Sequence, residues 1–325
     1  MEKQLTFSLI SDELINAKTH KKEFLERMNK IIPWGEFKSI IEPCYYKGGR
    51  GNKPYELELM LRIFMLQNLY NLSDMKVTDE VVDSRAFSDF CGVDSPNQVL
   101  DGDTVSRFRN ILIENNLDGK MFGKVVEILM KKKLILKKGT IVDSTIIAAP
   151  SSTKNKEKKR DTEAHSTKKG NHYHFGYKAH IGVDRDSGLV HHIEATSANE
   201  HDVTVTGKLL HGEEETVHGD SGYTGVEKRE DAIVTNKRGK KIRYEINRKP
   251  SAIKKLRERD QKYAKLKEKA KSSIRAKVEH VFSVVKNIFG YRKTRYRGRR
   301  KQVAKFNILF ALANLYLADR KSLLA

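Results

Sequence analysis

Three acidic side chains stand in surroundings that do not account for them. Asp143 lies in Thr140-Ile141-Val142-Asp143-Ser144-Thr145-Ile146-Ile147, a short run rich in β-branched residues that reads as a strand. Asp is disfavoured inside strands, and burying an unpaired carboxylate is costly, so a bound cation would explain its place. Asp220 ends the strand-like run Glu215-Thr216-Val217-His218-Gly219-Asp220, just ahead of a Ser221-Gly222 turn. Backbone at a strand end presents a side chain without covering it. Glu279 is the one acid between Lys271 and Lys301, among 11 basic residues, and is either a salt-bridge partner or a metal ligand. Carboxylates are hard oxygen ligands suited to Mg²⁺ or Mn²⁺. Two such ions about 4 Å apart activate an attacking oxygen and stabilise a leaving one in phosphoryl transfer. Taken singly, each acid is weak evidence, since an isolated Asp or Glu is usually a cap or a surface charge.

The surroundings of Glu279 sharpen the case. Arg275 precedes it by four residues and Lys286 follows it by seven, spacings that share one helical face. Val278, Phe282, Val285 and Phe289 form a neighbouring apolar stripe. One face therefore packs while another presents Arg, Glu and Lys, a set that suits a DNA backbone beside a metal carboxylate. The bland counterpart is a surface ion pair worth a few tenths of a kcal/mol. Further on, Tyr291-Arg292-Lys293-Thr294-Arg295-Tyr296-Arg297 interleaves aromatics with cations. Arg292 and Arg295 suit phosphates and the tyrosines suit some stacking; a plain basic loop is the other option. His172, His174, His180, His191 and His192 lack the cysteines or fixed spacing of a zinc site, and are expected to be structural or DNA-facing.

The elements that must position these residues divide the chain in two. Residues 1–138 read as helical: Leu57, Leu61, Phe64, Met65 and Leu69 recur at helical spacing after Pro54. Asp74 and Asp103 are expected helix caps. Arg107 and Arg109 on an exposed face would suit a helix-turn-helix reader, with a plain helical bundle as the even alternative. Trp34 is expected in the core. From Gly139 the period changes to strands over 140–147, 173–183, 189–195 and 215–220, with a hairpin turn at Asp186-Ser187-Gly188. Residues 148–170 read as a polar loop, and Asp202 as the cap of a short helix ending near Leu210. A possible strand over 241–246 and a charged helix from about Ser251 follow. Two more helices span Ser273 to Phe289 and Val303 to Leu317. Three antiparallel strands, a helix and another strand differ from a doubly wound βαβ repeat.

Charge follows the same division. The net charge is +21, which disfavours compaction without an acidic partner. Residues 1–138 carry 22 basic and 20 acidic side chains, against 41 and 22 in residues 139–325. Nucleic acid is the expected partner. Two cysteines without ligand spacing fit a reducing cytosol. The first residues hold no apolar signal core, and no apolar run reaches the roughly 20 residues of a membrane span. A cytoplasmic, nucleoid-associated protein is expected.

These motifs resemble those of the bacterial insertion-sequence transposases of the DDE type. Arg275-x3-Glu279-x6-Lys286 is similar to the signature around that family's catalytic glutamate. Ile141 to Thr145 and His218-Gly219-Asp220-Ser221-Gly222-Tyr223 resemble the segments of its two aspartates. Phe175-Gly176-Tyr177-Lys178-Ala179-His180 and Ala198-Asn199-Glu200-His201-Asp202 resemble intervening blocks, and Lys178 joins the candidate DNA contacts. Asp103 to Arg109 resembles its DNA-binding region. The nearest branch is the insertion-sequence-five group. The resemblance implies an α/β protein: an RNase H-like catalytic core, a mixed sheet with helices, over 139–325, preceded by an all-α DNA-binding region over 1–138. It further implies catalytic, metal-holding Asp143, Asp220 and Glu279, dependence on Mg²⁺ (Mn²⁺ possible), and action on terminal inverted repeats and target DNA, with a homodimer expected on DNA. Ser272 stands where the signature often has Tyr. A nuclease without strand transfer and a non-enzymatic DNA-binding regulator are the rival functions.

Overall fold

The computed structural model describes residues 19–45 and 53–321; the segment read for a signal core lies outside them. Among the described residues seven α-helices come first: α1 (His20–Ile31), α2 (Trp34–Ile41), α3 (Leu57–Leu69), α4 (Asp74–Asp83), α5 (Arg85–Cys91), α6 (Gly102–Glu114) and α7 (Leu117–Lys131). The all-α expectation holds here, but two caps move. Ser73 caps α4 by accepting from the Lys76 N–H at 3.2 Å, and Asp101 caps α6 by accepting from the Thr104 N–H at 2.7 Å. A cap must be extended and reach the N–H two or three residues on; Asp74 and Asp103 already lie in the first turn. Trp34 is half-buried, edge-on to Phe90 with Arg62 over its ring.

Six strands follow: β1 (Gly139–Ala148), β2 (His165–Lys169), β3 (His172–Asp184), β4 (Val190–Ser197), β5 (Thr216–Gly219) and β6 (Arg243–Ile246). They form one mixed sheet in the order β2-β3-β1-β5-β6, with β4 also paired to β3. β1, β3 and β4 are antiparallel, whereas β5 runs parallel to β1 and β6 parallel to β5. The polar stretch expected to be loop throughout contains β2, which pairs with the start of β3. Its side chains are mostly exposed, so it carries no apolar alternation to read. The segment opening at Asp202 is a 3-10 helix, Asp202–Leu209, preceded by His201 without a side-chain cap. Its Val205 and Leu209 cover one sheet face together with Val142, Val217 and Tyr223.

The opposite face is covered by two long helices. Instead of two separate charged helices, α8 (Pro250–Lys254) is followed by a single 26-residue helix, α9 (Glu258–Ser283), which runs into a π-helical segment, Val284–Ile288. No Gly or Pro interrupts 258–289, and straight-chain Lys, Glu and Ala favour helix throughout. The last helix, α10 (Arg299–Arg320), is apolar nearly all round, with Phe306 to Leu315 buried; such a helix belongs inside a core. It packs against α7, α3 and α1 on one side and β4 on the other. One apolar cluster therefore runs from Leu25 to Ala318. No helix among the described residues is long and apolar enough to cross a membrane.

Candidate active site

Asp143 lies in the middle strand of the sheet, facing α9 rather than the 3-10 segment. The parallel register pairs Ile141 of β1 with His218 of β5. That pairing ends two residues short of Asp143 and Asp220, which lie near enough for the Asp220 charge to raise the Asp143 carboxyl. Asp220 sits just past β5, where its carboxylate accepts from the Gly222 N–H at 2.7 Å. The strand ends, and the turn Ser221–Tyr223 carries the backbone away.

The Asp143 carboxyl is pushed up to about 6. Burial is the main cause, and the nearby Asp220 adds to it; the Ser144 N–H and the Arg275 guanidinium pull the other way. Arg275 of α9 donates to the Asp143 Oδ2 at 3.2 Å, and the Ser144 N–H to Oδ1 at 2.8 Å. A buried carboxylate beside a second one, with one guanidinium between it and solvent, is a poor structural ion pair and a good cation ligand. Tyr223 closes the floor. Its hydroxyl is buried without a hydrogen-bond partner, and burial with Asp143, Asp202 and Asp220 nearby drives its ionisation far above the usual phenol range.

Glu279 stands one helical turn beyond Arg275, roughly 6 Å along the axis, and is exposed. No three His, Cys, Asp or Glu side chains among the described residues form a group that could hold a metal ion. The structure thus brings Asp143, Asp220 and Arg275 together and leaves Glu279 on the same helical face, outside their contact. Lys286 lies in the π-helical segment just after α9, where burial, Lys169 and Arg292 hold its amine below the usual lysine range, opposed by Glu279. Glu279, Lys286, Arg292 and Lys169 of β2 therefore share one rim.

A positioning network behind Arg275 was not anticipated. Asn247, just past β6, faces Arg275 at 3.5 Å and donates to Glu268 of α9 at 2.8 Å. Glu268 also accepts from the Arg248 N–H at 2.9 Å. Glu268 and Arg275 are seven residues apart, so the helical stripe through Arg275 and Glu279, followed backwards, would have found it. Ser272, at the position that often holds Tyr, lies 3.3 Å from Asn247.

Several expected DNA contacts fall elsewhere. Arg107 is exposed, but Arg109 is buried: it pairs with Asp74, donates to the Tyr296 hydroxyl at 3.0 Å and lies over the Tyr296 ring. Two positions apart on a helix, the two arginines point about 200° apart. Lys178 is occupied, 2.9 Å from Asp202 and 2.6 Å from the Glu200 carbonyl. Arg292 and Arg295 are exposed, yet the tyrosines that flank them do not face solvent. Tyr291 is fully buried with its hydroxyl on Gln302, and Tyr296 lies under Arg109. Among the histidines, His172 is exposed and His180 is buried against Thr196 at 2.8 Å. His191 and His192 meet at 2.7 Å because a bulge at Gly182/Val183 breaks the alternation of β4.

Residues 135–315 match the family described as Transposase DDE domain, and residues 12–110 match Transposase domain (DUF772). The first match spans more than half of the chain, which therefore belongs to the DDE-domain transposase family. No solved structure matches it. The chain is an insertion-sequence type DNA transposase, and DNA is its substrate.

Proposed function

We propose that the chain cleaves the terminal inverted repeats of its element and joins them to target DNA, using Asp143, Asp220 and Glu279 to hold Mg²⁺ or Mn²⁺. The observation that carries this reading is the pair Asp143 and Asp220, on β1 and just past the neighbouring β5, with the Asp143 carboxyl raised by burial and by Asp220 and paired with Arg275. The donor set fits a hard divalent cation at these two acids, with Glu279 the nearest acid on the facing helix stripe to complete it. Bound there, such ions lower the pKa of an attacking oxygen and neutralise a leaving one. Arg275 would pass from Asp143 to a backbone phosphate as the cation takes its place. Lys286, Arg292 and Arg295 at the rim, and Arg107 on α6, would hold flanking phosphates. Asp143 and Asp220, fixed by the sheet, orient the site; Tyr223 beneath them keeps water from the far side.

The RNase H-like core is supported by three antiparallel strands followed by two parallel ones, with the two acids on the first and just past the fourth of these. The division into a DNA-binding region over 1–138 and a catalytic region over 139–325 draws on the order of the two family matches, over 12–110 and 135–315, the second of which begins four residues before Gly139. An insertion-sequence-five-like branch, a homodimer on paired ends and a nucleoid location complete the proposal.

The test is cleavage and joining of the element's own end, taken from the DNA flanking the gene, with labelled ends and a target plasmid. Native protein should give Mg²⁺-dependent cleavage and joined product. Asp143→Asn, Asp220→Asn and Glu279→Gln should each lower both by on the order of a thousandfold while retaining end binding. A Glu279→Gln protein as active as the native one would remove Glu279 from the site. Cleavage without joining would identify a nuclease. A second reading, a non-catalytic DNA-binding regulator, rests on Arg275 occupying Asp143 while Glu279 stands apart; it requires native protein to bind ends without cutting them.

A further inference from the structure

A second pocket opens on the same side of the sheet as Asp143, between α9 and the β5–β6 edge. We propose that it binds a phosphate group, separately from the carboxylate site. Its volume is about 420 Å³, and its walls include Arg185, His218, Arg243, Lys267, Lys271 and Lys277. Five cations line it against two carboxylates, Asp186 and Glu245, so its field favours an anion.

His218 is the observation that points to a ligand. It is 4 % exposed, and neither ring nitrogen has a hydrogen-bond partner. A buried ring N–H without an acceptor costs free energy, and a phosphate oxygen in the pocket would accept from it. The cations around it are of two kinds. Lys271 is held by Glu245 at 3.3 Å and the Ile246 carbonyl at 2.9 Å, and Lys277 by the Arg185 and Asp186 carbonyls at 2.7 and 3.0 Å. Arg243 and Lys267 are exposed and make no ion pair among the described residues. They are free to close on a ligand, and the guanidinium fork of Arg243 matches two phosphate oxygens.

The location fits a nucleic-acid phosphate. His218 precedes Asp220 by two residues, about 7 Å along the strand, and each DNA strand carries one charge per roughly 3.4 Å of helix axis. A strand lying across Asp220 therefore presents another phosphate near this pocket. Free phosphate offers the same oxygens, so the ligand class is a phosphate group and its source is a matter for measurement. The proposal takes from the functional reading only that the chain meets DNA, and its test requires no cleavage.

The experiment is done in chelator on the full chain. Ring signals of labelled histidines are followed by NMR as a mixed-sequence duplex or inorganic phosphate is added, with the His218 signal assigned from His218→Gln. In parallel, duplex affinity is measured against salt for native protein and for Arg243→Ala/Lys267→Ala, whose fold is checked by thermal melting. A shift of His218 with duplex, and a log–log salt slope smaller by about 1 in the double variant, as loss of one phosphate contact requires, supports the site with DNA as source. A His218 shift that saturates with inorganic phosphate, with duplex inert and the slope unchanged, supports the site with free phosphate as source. If neither ligand moves His218 and the slope is unchanged in a folded double variant, the proposal is overturned. Cleavage activity plays no part in any of these outcomes.

Discussion

Asp143 shows how one residue can be set against the stability of the fold that holds it. Its carboxyl titrates near 6 in the native state, above the ordinary 3.8. Below pH 3.8 both folded and unfolded chains hold the proton, and nothing is lost. Between 3.8 and 6 the folded chain keeps a proton that the unfolded chain has released, so stability falls as pH rises through this window. Above 6 the cost is complete, on the order of 2 to 3 kcal/mol from a shift of about two units. Without metal, the melting temperature of Asp143→Asn relative to native protein should therefore climb as pH goes from 4 to 7; a difference independent of pH would contradict the assignment. Arg275→Met should move the Asp143 carboxyl above 6, since the guanidinium now pulls it down. Carboxyl ¹³C shifts against pH would read this directly, and a fall would refute it.

At the scale of elements, the site depends on how the sheet is held against its helices. Asn314 of α10 is fully buried and bonds the two backbone groups of Val190, accepting from its N–H at 2.8 Å and donating to its carbonyl at 2.7 Å. Val190 opens β4, so one amide side chain docks the end of that strand onto the core helix. Asn314→Leu would leave both groups buried and unpaired, at about 2 to 4 kcal/mol; chemical denaturation should show it, and a cost under about 0.5 kcal/mol would contradict the account. On the other face, Gly182 lets the 3-10 segment lie against the bulge, since a Cβ there would stand 2.3 Å from the Leu209 carbonyl oxygen. Backbone cannot yield as a side-chain tip does, so Gly182→Ala should lift this segment and lower both stability and activity, seen as faster amide exchange over 202–209. The π-helical segment after α9 adds a widened turn between Glu279 and Lys286, a feature that often marks functional sites.

Across the whole molecule, the N-terminal helices and the C-terminal part share one interior. Arg109 and Asp74 reach Tyr296, Asp118 holds Arg300 at 2.7 Å, and Lys305 of α10 is buried beside them. Burial, with Arg295 and Arg109 nearby, brings the Lys305 amine down to about 7. Below pH 7 both states carry the charge and the native state bears the full cost of burying it. From pH 7 to about 10.5 the native amine is neutral while the unfolded one stays charged, so stability rises with pH. Lys305→Met should raise the melting temperature by roughly 5 °C at pH 7, with the gain shrinking toward pH 10. A gain that does not shrink would mean that repacking, not charge, explains it.

What the amino-acid order settled by itself is everything that depends on local period and residue type. The all-α start, the strands around Asp143 and Asp220, and the helix through Arg275, Glu279 and Lys286 are readable because side-chain alternation and helical spacing are short-range properties. The strand β2 was not, because exposed polar residues leave no alternation; it exists through its pairing with β3. Only the tertiary structure decided which cations are free. Arg109 and Lys178 look like their exposed neighbours in sequence, yet each is consumed by an acid far away in the chain, Asp74 and Asp202. It also decided that Asp143 and Asp220 come near each other while Glu279 stands a turn beyond Arg275. Such distances are set by register and helix docking, which join residues that no local pattern connects.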